Sequence, residues 1–226
     1  MKLPISPRLL ACCGYVSPGD RVADVGCDHG YLSIYLLQNH IAASVIASDI
    51  REGPLQSAVI NAKKFGVSEN IHFYLSDGLR SIPRTFDTMV CAGMGADVMI
   101  SILEAAHWLR QTQYRLILQC QSRTHQLRKY LSDTGWHIRR ETVLRDGRFL
   151  YTVMEAVWQP GQALTPGQCY ISPALAESGS DMLDAYICWV TEHLEISVTS
   201  QGDRADPALC EALEELKSRY GKGVKT

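Results

Sequence analysis

Carboxylates and glycines recur wherever a short apolar run of this chain stops. Asp24-Val25-Gly26-Cys27-Asp28-His29-Gly30 ends the run 21–26, and Asp49 ends Ser44-Val45-Ile46-Ala47-Ser48-Asp49. Ser76-Asp77-Gly78 follows Ile71–Leu75, and Gly93-Met94-Gly95 follows Thr88–Ala92. Gly26 and Gly30 have three residues between them, which is not the G-x-G-x-x-G pattern that admits a pyrophosphate. No Gly-Lys-Ser/Thr follows, so the turn is not a P-loop either. It carries acids instead. A helix N-terminus disfavours cations by its dipole, so Asp24 and Asp28 there suit a ligand that is itself cationic. Asp49, 19 residues after Gly30, is placed to accept from both hydroxyls of a ribose. Asp77 can reach the amino group of an adenine. Each feature has a plainer reading, since glycine and aspartate also make turns and caps. Four of them at successive strand ends favour a ligand held along one rim.

The runs that must position these groups are each about five residues long, apolar and partly β-branched. That suits strands buried on both faces. The fifth is Arg115–Gln119. Helical stretches fall between them at 32–38, 54–65, 97–109 and 124–134, after a lead helix over 7–16. The alternation predicts a parallel sheet with right-handed crossovers. Two antiparallel runs, 136–144 and 149–158, follow around Asp146-Gly147, a strong hairpin signal. The expected fold is therefore α/β, a Rossmann-like seven-stranded sheet of five parallel strands and a closing hairpin over residues 1–158. Residues 159–226 form an appendage. After a linker at 159–167, apolar positions recur at helical spacing over 183–198 and 209–220, predicting a helical hairpin whose stripes pair within one chain or between two.

Among the 226 residues 46% are hydrophobic and 20% charged, ordinary globular usage. No apolar run reaches the roughly 18 residues of a membrane span, and the start lacks the apolar stretch of a signal peptide. The expected location is the cytoplasm, with no membrane partner. Eight cysteines include no CxxC pair, so reduced thiols and no metal are expected. The net charge of −2 hides a split. Residues 1–158 hold 17 Lys and Arg against 14 Asp and Glu, whereas residues 159–226 hold 5 against 10. Arg123, Arg128, Lys129, Arg139, Arg140, Arg145 and Arg148 fall within 26 positions. They form either a solvated face or a surface for a polyanion.

Ala23-Asp24-Val25-Gly26-Cys27-Asp28-His29-Gly30-Tyr31-Leu32-Ser33, Glu52-Gly53-Pro54, Ser76-Asp77-Gly78-Leu79, Gly93-Met94-Gly95 and the lead segment Ser6-Pro7-Arg8-Leu9 together resemble the bacterial tRNA (adenine-22-N1)-methyltransferase family, class I enzymes dependent on S-adenosylmethionine. The resemblance spans about residues 3–158. It weakens in the appendage, and Gln119-Cys120-Gln121 stands where the family usually has Gln-Pro-Asn. It implies S-adenosyl-L-methionine as cofactor, held by Asp24, Gly26, Cys27, Asp28, Gly30, Asp49, Ile50, Asp77, Gly78, Gly93, Met94 and Gly95. It implies tRNA as substrate, with Arg8, Arg123, Arg128, Lys129, Arg139, Arg140, Arg145 and Arg148 on phosphates. Asp28, His29 and Gln119 would orient the target base, with Met94 or Tyr31 packed against it. His29 is a general base on one reading and a plain turn residue on the other. The chain would act as a monomer or as a homodimer through its C-terminal helices. The fourth strand lacks the Asn/Asp-Pro-Pro-Tyr signature of amino-group methylation, which favours a ring nitrogen.

Two other functions remain open on sequence alone. One is a small-molecule or other-RNA methyltransferase sharing the cofactor half, with the hairpin as a lid or dimer helix. The other is a non-catalytic protein that binds the cofactor.

Overall fold

The computed structural model describes residues 3–161 and 163–221. Its strands are β1 (Asp20–Val25), β2 (Ala42–Asp49), β3 (Ile71–Leu75), β4 (Thr88–Met94), β5 (Arg115–Cys120), β6 (Trp136–Asp146) and β7 (Phe149–Trp158). They form one sheet in the order β3-β2-β1-β4-β5-β7-β6. The first five are parallel, and β7 is antiparallel to both β5 and β6. The expected α/β architecture is therefore present. After β3 the chain crosses back to place β4 beside β1, so the crevice of this doubly wound sheet opens at the carboxyl ends of β1 and β4.

Strand period explains how the sheet is sandwiched. Ala23, Val25, Met89, Cys91, Leu116 and Leu118 join one buried cluster with helices α4 (Ala96–Ala105) and α5 (Thr124–Asp133). Val22, Val90 and Ile117, one step out of phase, join the other with α1 (Pro7–Cys13), α2 (Tyr31–Gln38) and α3 (Glu52–Lys64). Successive residues point to opposite faces, so a run apolar at every position must be covered twice.

Several element boundaries differ from the expectation. Helix α3 begins at Glu52, before Pro54, whose ring sits in the first turn where no amide donor is needed. Helix α4 ends at Ala105, and a separate 3-10 turn covers His107–Leu109. The hairpin pairs Asp146 with Phe149, which makes Gly147 and Arg148 the two loop residues. Gly147 has φ +60° and Arg148 does not share it, the type II′ pattern with glycine at the first central position.

The appendage holds α6 (Pro166–Tyr170), α7 (Pro173–Ala176), α8 (Leu183–Gln201) and α9 (Pro207–Tyr220). The two short helices went unanticipated. Thr165 and Ser172 cap them, with Pro at the first helical position of each. The stripes of α8 and α9 are covered within the chain: Val190, Leu194, Leu213 and Leu216 share one cluster with Val143 of β6.

Candidate active site

The loop after β1 is fixed to β2 from below. The amides of Gly26 and Cys27 donate to the Ser48 carbonyl at 2.8 and 2.9 Å. Asp28 takes a left-handed φ of +49°, an uncommon choice for a non-glycine residue. Its N–H donates to Asp49 Oδ2 at 3.1 Å, and the N–H of Arg51 donates to Asp49 Oδ1 at 2.9 Å. Each Asp49 oxygen keeps acceptor capacity after these bonds. Gly26 has φ +76°, and a Cβ built there would overlap Met94 Cε, so the β1 and β4 rims interlock.

Asp24 is buried and accepts from Ser33 Oγ at 2.6 Å. Desolvation pushes its carboxyl up to about 6; the Ser33 bond opposes this and nearby Asp49 adds to it. An opposite charge brought alongside would favour the ionised form.

These strand ends enclose a cavity of about 620 Å³, within the ordinary range for small-molecule sites. Of the residues expected to hold cofactor, Asp24, Gly26, Cys27, Asp28, Asp49, Ile50, Asp77, Gly78, Gly93 and Met94 line it. Gly30 and Gly95 do not: the α-carbon side of Gly30 faces Ala58, and that of Gly95 faces Ser122 Oγ. Asp97 brings the carboxylates on the wall to five.

Two of the expected base-orienting groups stand elsewhere. Gln119 is fully buried, and its Oε1 accepts the Gly93 N–H at 3.1 Å while its Nε2 donates to the Cys120 carbonyl at 3.1 Å. Its amide shapes the β4 rim from behind. His29 lies outside the cavity wall with its side chain 49% exposed, against Tyr31 and 3.9 Å from Asp28 Oδ2. Gln121, which sequence reasoning passed over, does line the cavity. The signal was its place just beyond the last residue of β5.

The basic residues divide by environment. Arg128 is a correction: it is 1% exposed, and its guanidinium is taken by Glu141 at 2.7 Å and by the carbonyls of Cys169 and Tyr170 at 3.0 and 2.8 Å. A group so enclosed cannot meet a phosphate. Arg8 also differs from a surface cation. It lines the cavity, pairs with Asp146 at 2.7 Å and reaches Gln119 Oε1 at 3.3 Å, which ties the β6–β7 hairpin tip to a residue of the cavity wall. Arg139 and Arg140 are half-exposed and share buried Glu155. Lys129 pairs with Asp133, and Arg123 pairs with Asp97 at 2.8 Å. Arg145 and Arg148 are exposed at the hairpin tip. Among the described residues no cluster of His, Cys, Asp or Glu could hold a metal ion, and no helix is long and apolar enough to cross a membrane.

A family profile described as "Methyltransferase domain" matches residues 5–154. The tRNA (adenine(22)-N(1))-methyltransferase of Bacillus subtilis is 33% identical over 156 residues, covering 69% of this chain and 66% of the relative, just under two thirds of its length. Streptococcus pneumoniae Sp1610, solved in complex with S-adenosyl-L-methionine, superposes with a TM-score of 0.83 at 30% identity, over 95% of this chain and 98% of that one. The chain belongs to the tRNA (adenine-22-N1)-methyltransferase family. A further member, the m1A22 tRNA methyltransferase TrmK of B. subtilis, matches over 97% of both chains with a TM-score of 0.79 at 28% identity, so the family likeness reaches through the helical appendage.

The cofactor of this family is S-adenosyl-L-methionine, and the cavity fits it. A sulfonium carrying an amino-acid end, a ribose and an adenine needs anionic partners along an extended path, which the wall carboxylates of three successive strand ends supply.

Proposed function

We propose that this methyltransferase transfers a methyl group from S-adenosyl-L-methionine to N1 of an adenine in tRNA, at position 22. The observation that carries the reading is the row of Asp24, Asp28, Asp49 and Asp77 along one cavity at the sheet's switch point, with exposed Arg145 and Arg148 on a hairpin tip that the Asp146–Arg8 pair ties to a residue of the cavity wall. Asp24 and Asp28 favour the ammonium of the cofactor's amino-acid end and its sulfonium charge, Asp49 accepts from the ribose hydroxyls, and Ile50 and Asp77 hold the adenine. Bound there, the cofactor supplies an electrophilic methyl on a positively charged sulfur, which departs as a neutral thioether.

Adenine N1 offers its lone pair without prior deprotonation, so the chain's task is positioning, which alone can contribute about 7–11 kcal/mol. Gly93, held by Gln119, and Met94 form the rim against which the base is placed. Because N1 lies on the pairing edge, the base must be unpaired or flipped. Arg123, Lys129, Arg139, Arg140, Arg145 and Arg148 meet the phosphates around it, giving affinity that falls with salt. The acidic appendage is not the main phosphate surface. With the faces of α8 and α9 covered within the chain, the enzyme acts as a monomer, in the cytoplasm with its tRNA.

The test is transfer of label from methyl-tritiated S-adenosylmethionine into bulk tRNA, followed by nucleoside analysis. Label in 1-methyladenosine supports the reading. Cofactor binding without RNA labelling overturns it, in favour of a small-molecule enzyme or a non-catalytic binder.

A further inference from the structure

A second cavity of about 410 Å³ lies between the end of β5, β7 and helix α8. Gln121 lines both this cavity and the cofactor cavity, and the Arg123–Asp97 pair also joins their walls. The two walls are chemically opposite. Five carboxylates line the cofactor cavity, whereas among the described residues no carboxylate lines the second. Its wall is aromatic and imidazole-rich instead. His125 and Tyr170 stack nearly parallel, with ring centroids 4.6 Å apart and planes at 11°. Trp189, on the rim, is 46% exposed and lies 4.4 Å from the His193 ring and 5.8 Å from Tyr186. Tyr151 completes the side toward Arg8, whose guanidinium lies 5.2 Å from its ring centroid.

A flat tryptophan left half in solvent at the edge of a cavity, beside two imidazoles and no acid, is suited to a flat heteroaromatic ring that arrives with negative charge attached. Base–aromatic stacking tolerates any base because every base has a π-face. The absence of acids removes the repulsion its phosphate would meet in the neighbouring site. Arg123 adds a further residue to this wall, held in the left-handed region at φ +56°, a strained conformation of the kind that collects at ligand sites.

We propose that this cavity is a nucleobase pocket for a nucleotide next to the methylated adenine in the same RNA strand, stacked against Trp189 and the His125–Tyr170 pair. The proposal rests on the tRNA reading above and adds to it a second anchored base. With one base in each cavity, Gln121 stands between neighbours, and extrusion of the target is helped by capture of the base beside it. The pocket also gives the appendage a role that its acidity denies it on phosphates, because α8 contributes Trp189 and His193.

The experiment compares wild type, Trp189→Ala and Trp189→Phe on tRNA and on tRNA bearing an abasic site at either neighbour of the target. Trp189 is exposed, so its truncation leaves the fold intact, as circular dichroism and an unchanged cofactor Kd would confirm. Trp189→Ala is expected to raise KM for tRNA roughly tenfold or more with kcat/KM falling in step, and Trp189→Phe to restore most of it. One abasic neighbour should raise wild-type KM by a similar factor yet leave Trp189→Ala unaffected. RNA should also quench tryptophan emission in wild type and much less in Trp189→Phe. Equal KM for all three proteins on intact and abasic tRNA, while wild type still methylates, overturns the pocket alone. Failure of wild type to methylate any RNA overturns the underlying reading. Quenching by a protein or a free small molecule in place of RNA would assign the cavity to another ligand and overturn the nucleobase proposal.

Discussion

The backbone N–H of Asp28 donates to Asp49 Oδ2 at 3.1 Å, tying the turn after β1 to the end of β2. One carboxylate thereby holds a neighbouring loop in its left-handed conformation and keeps acceptor sites for a ligand. Asp49→Ala removes both, and is expected to cost about 2–3 kcal/mol of cofactor binding, roughly 30- to 150-fold in Kd. Isothermal titration with S-adenosylmethionine measures it. An unchanged Kd would remove Asp49 from the site.

If Asp24 holds the cofactor as proposed, cofactor affinity is expected to depend on pH. Its carboxyl titrates near 6 in the folded protein because burial favours the neutral acid, against an ordinary 3.8. The folded state therefore holds the extra proton between about pH 4 and 6. Asp24's contribution to stability is greatest below that window, declines as pH rises through it, and is at its lowest above 6. Cofactor binding runs the other way, since a cation favours the ionised carboxylate. Affinity should rise about tenfold per pH unit up to about 6 and level off above it, with proton release on binding. Titrations from pH 5 to 8 in buffers of different ionisation enthalpy check this, and Asp24→Asn should flatten the profile.

Gly26→Ala forces a Cβ into the space of Met94 Cε at a φ of +76°. Met94 must swing into the cavity, so cofactor affinity should drop along with a loss of about 1–2 kcal/mol in stability. Adding Met94→Ala should recover the affinity but little of the stability, because the backbone conformation is still unfavourable. Thermal melts and titrations of the two variants separate these effects.

The buried Arg128–Glu141 pair joins α5 and β6 to the appendage through the carbonyls of Cys169 and Tyr170 and through Ser172, whose Oγ donates to Glu141 at 2.6 Å. Arg128→Met leaves a buried carboxylate without its cation and should cost about 3–5 kcal/mol. Arg128→Met with Glu141→Leu should recover only part, since the two carbonyls lose their donor in both variants. Denaturant unfolding gives the ranking.

This pair also shows where sequence reading stops. The strands and the rim acids were legible because they are local: an apolar run, then Asp or Gly, repeated four times. Arg128 in a basic stretch looks like any surface cation, and only the fold brings Glu141 and the 169–170 carbonyls around it. The resemblance implies a base-orienting role for Gln119, yet its side chain lies behind Gly93 and is spent on the Gly93 N–H and the Cys120 carbonyl. Helices α6 and α7 are five and four residues long, too short to show a helical period, and only their Thr165-Pro166 and Ser172-Pro173 starts marked them. The cofactor half is thus written in contiguous motifs, whereas the second cavity is assembled from β5, β7 and α8 and has no motif of its own.

The most direct measurement is reverse transcription across tRNA incubated with the enzyme and S-adenosylmethionine. A methyl on N1 blocks the pairing edge, so methylation of adenine 22 should give a new stop immediately before nucleotide 22 in tRNAs carrying adenine there, absent without cofactor and absent when nucleotide 22 is guanine. Full read-through with label incorporated elsewhere, or an identical stop in the guanine-22 tRNA, would contradict it.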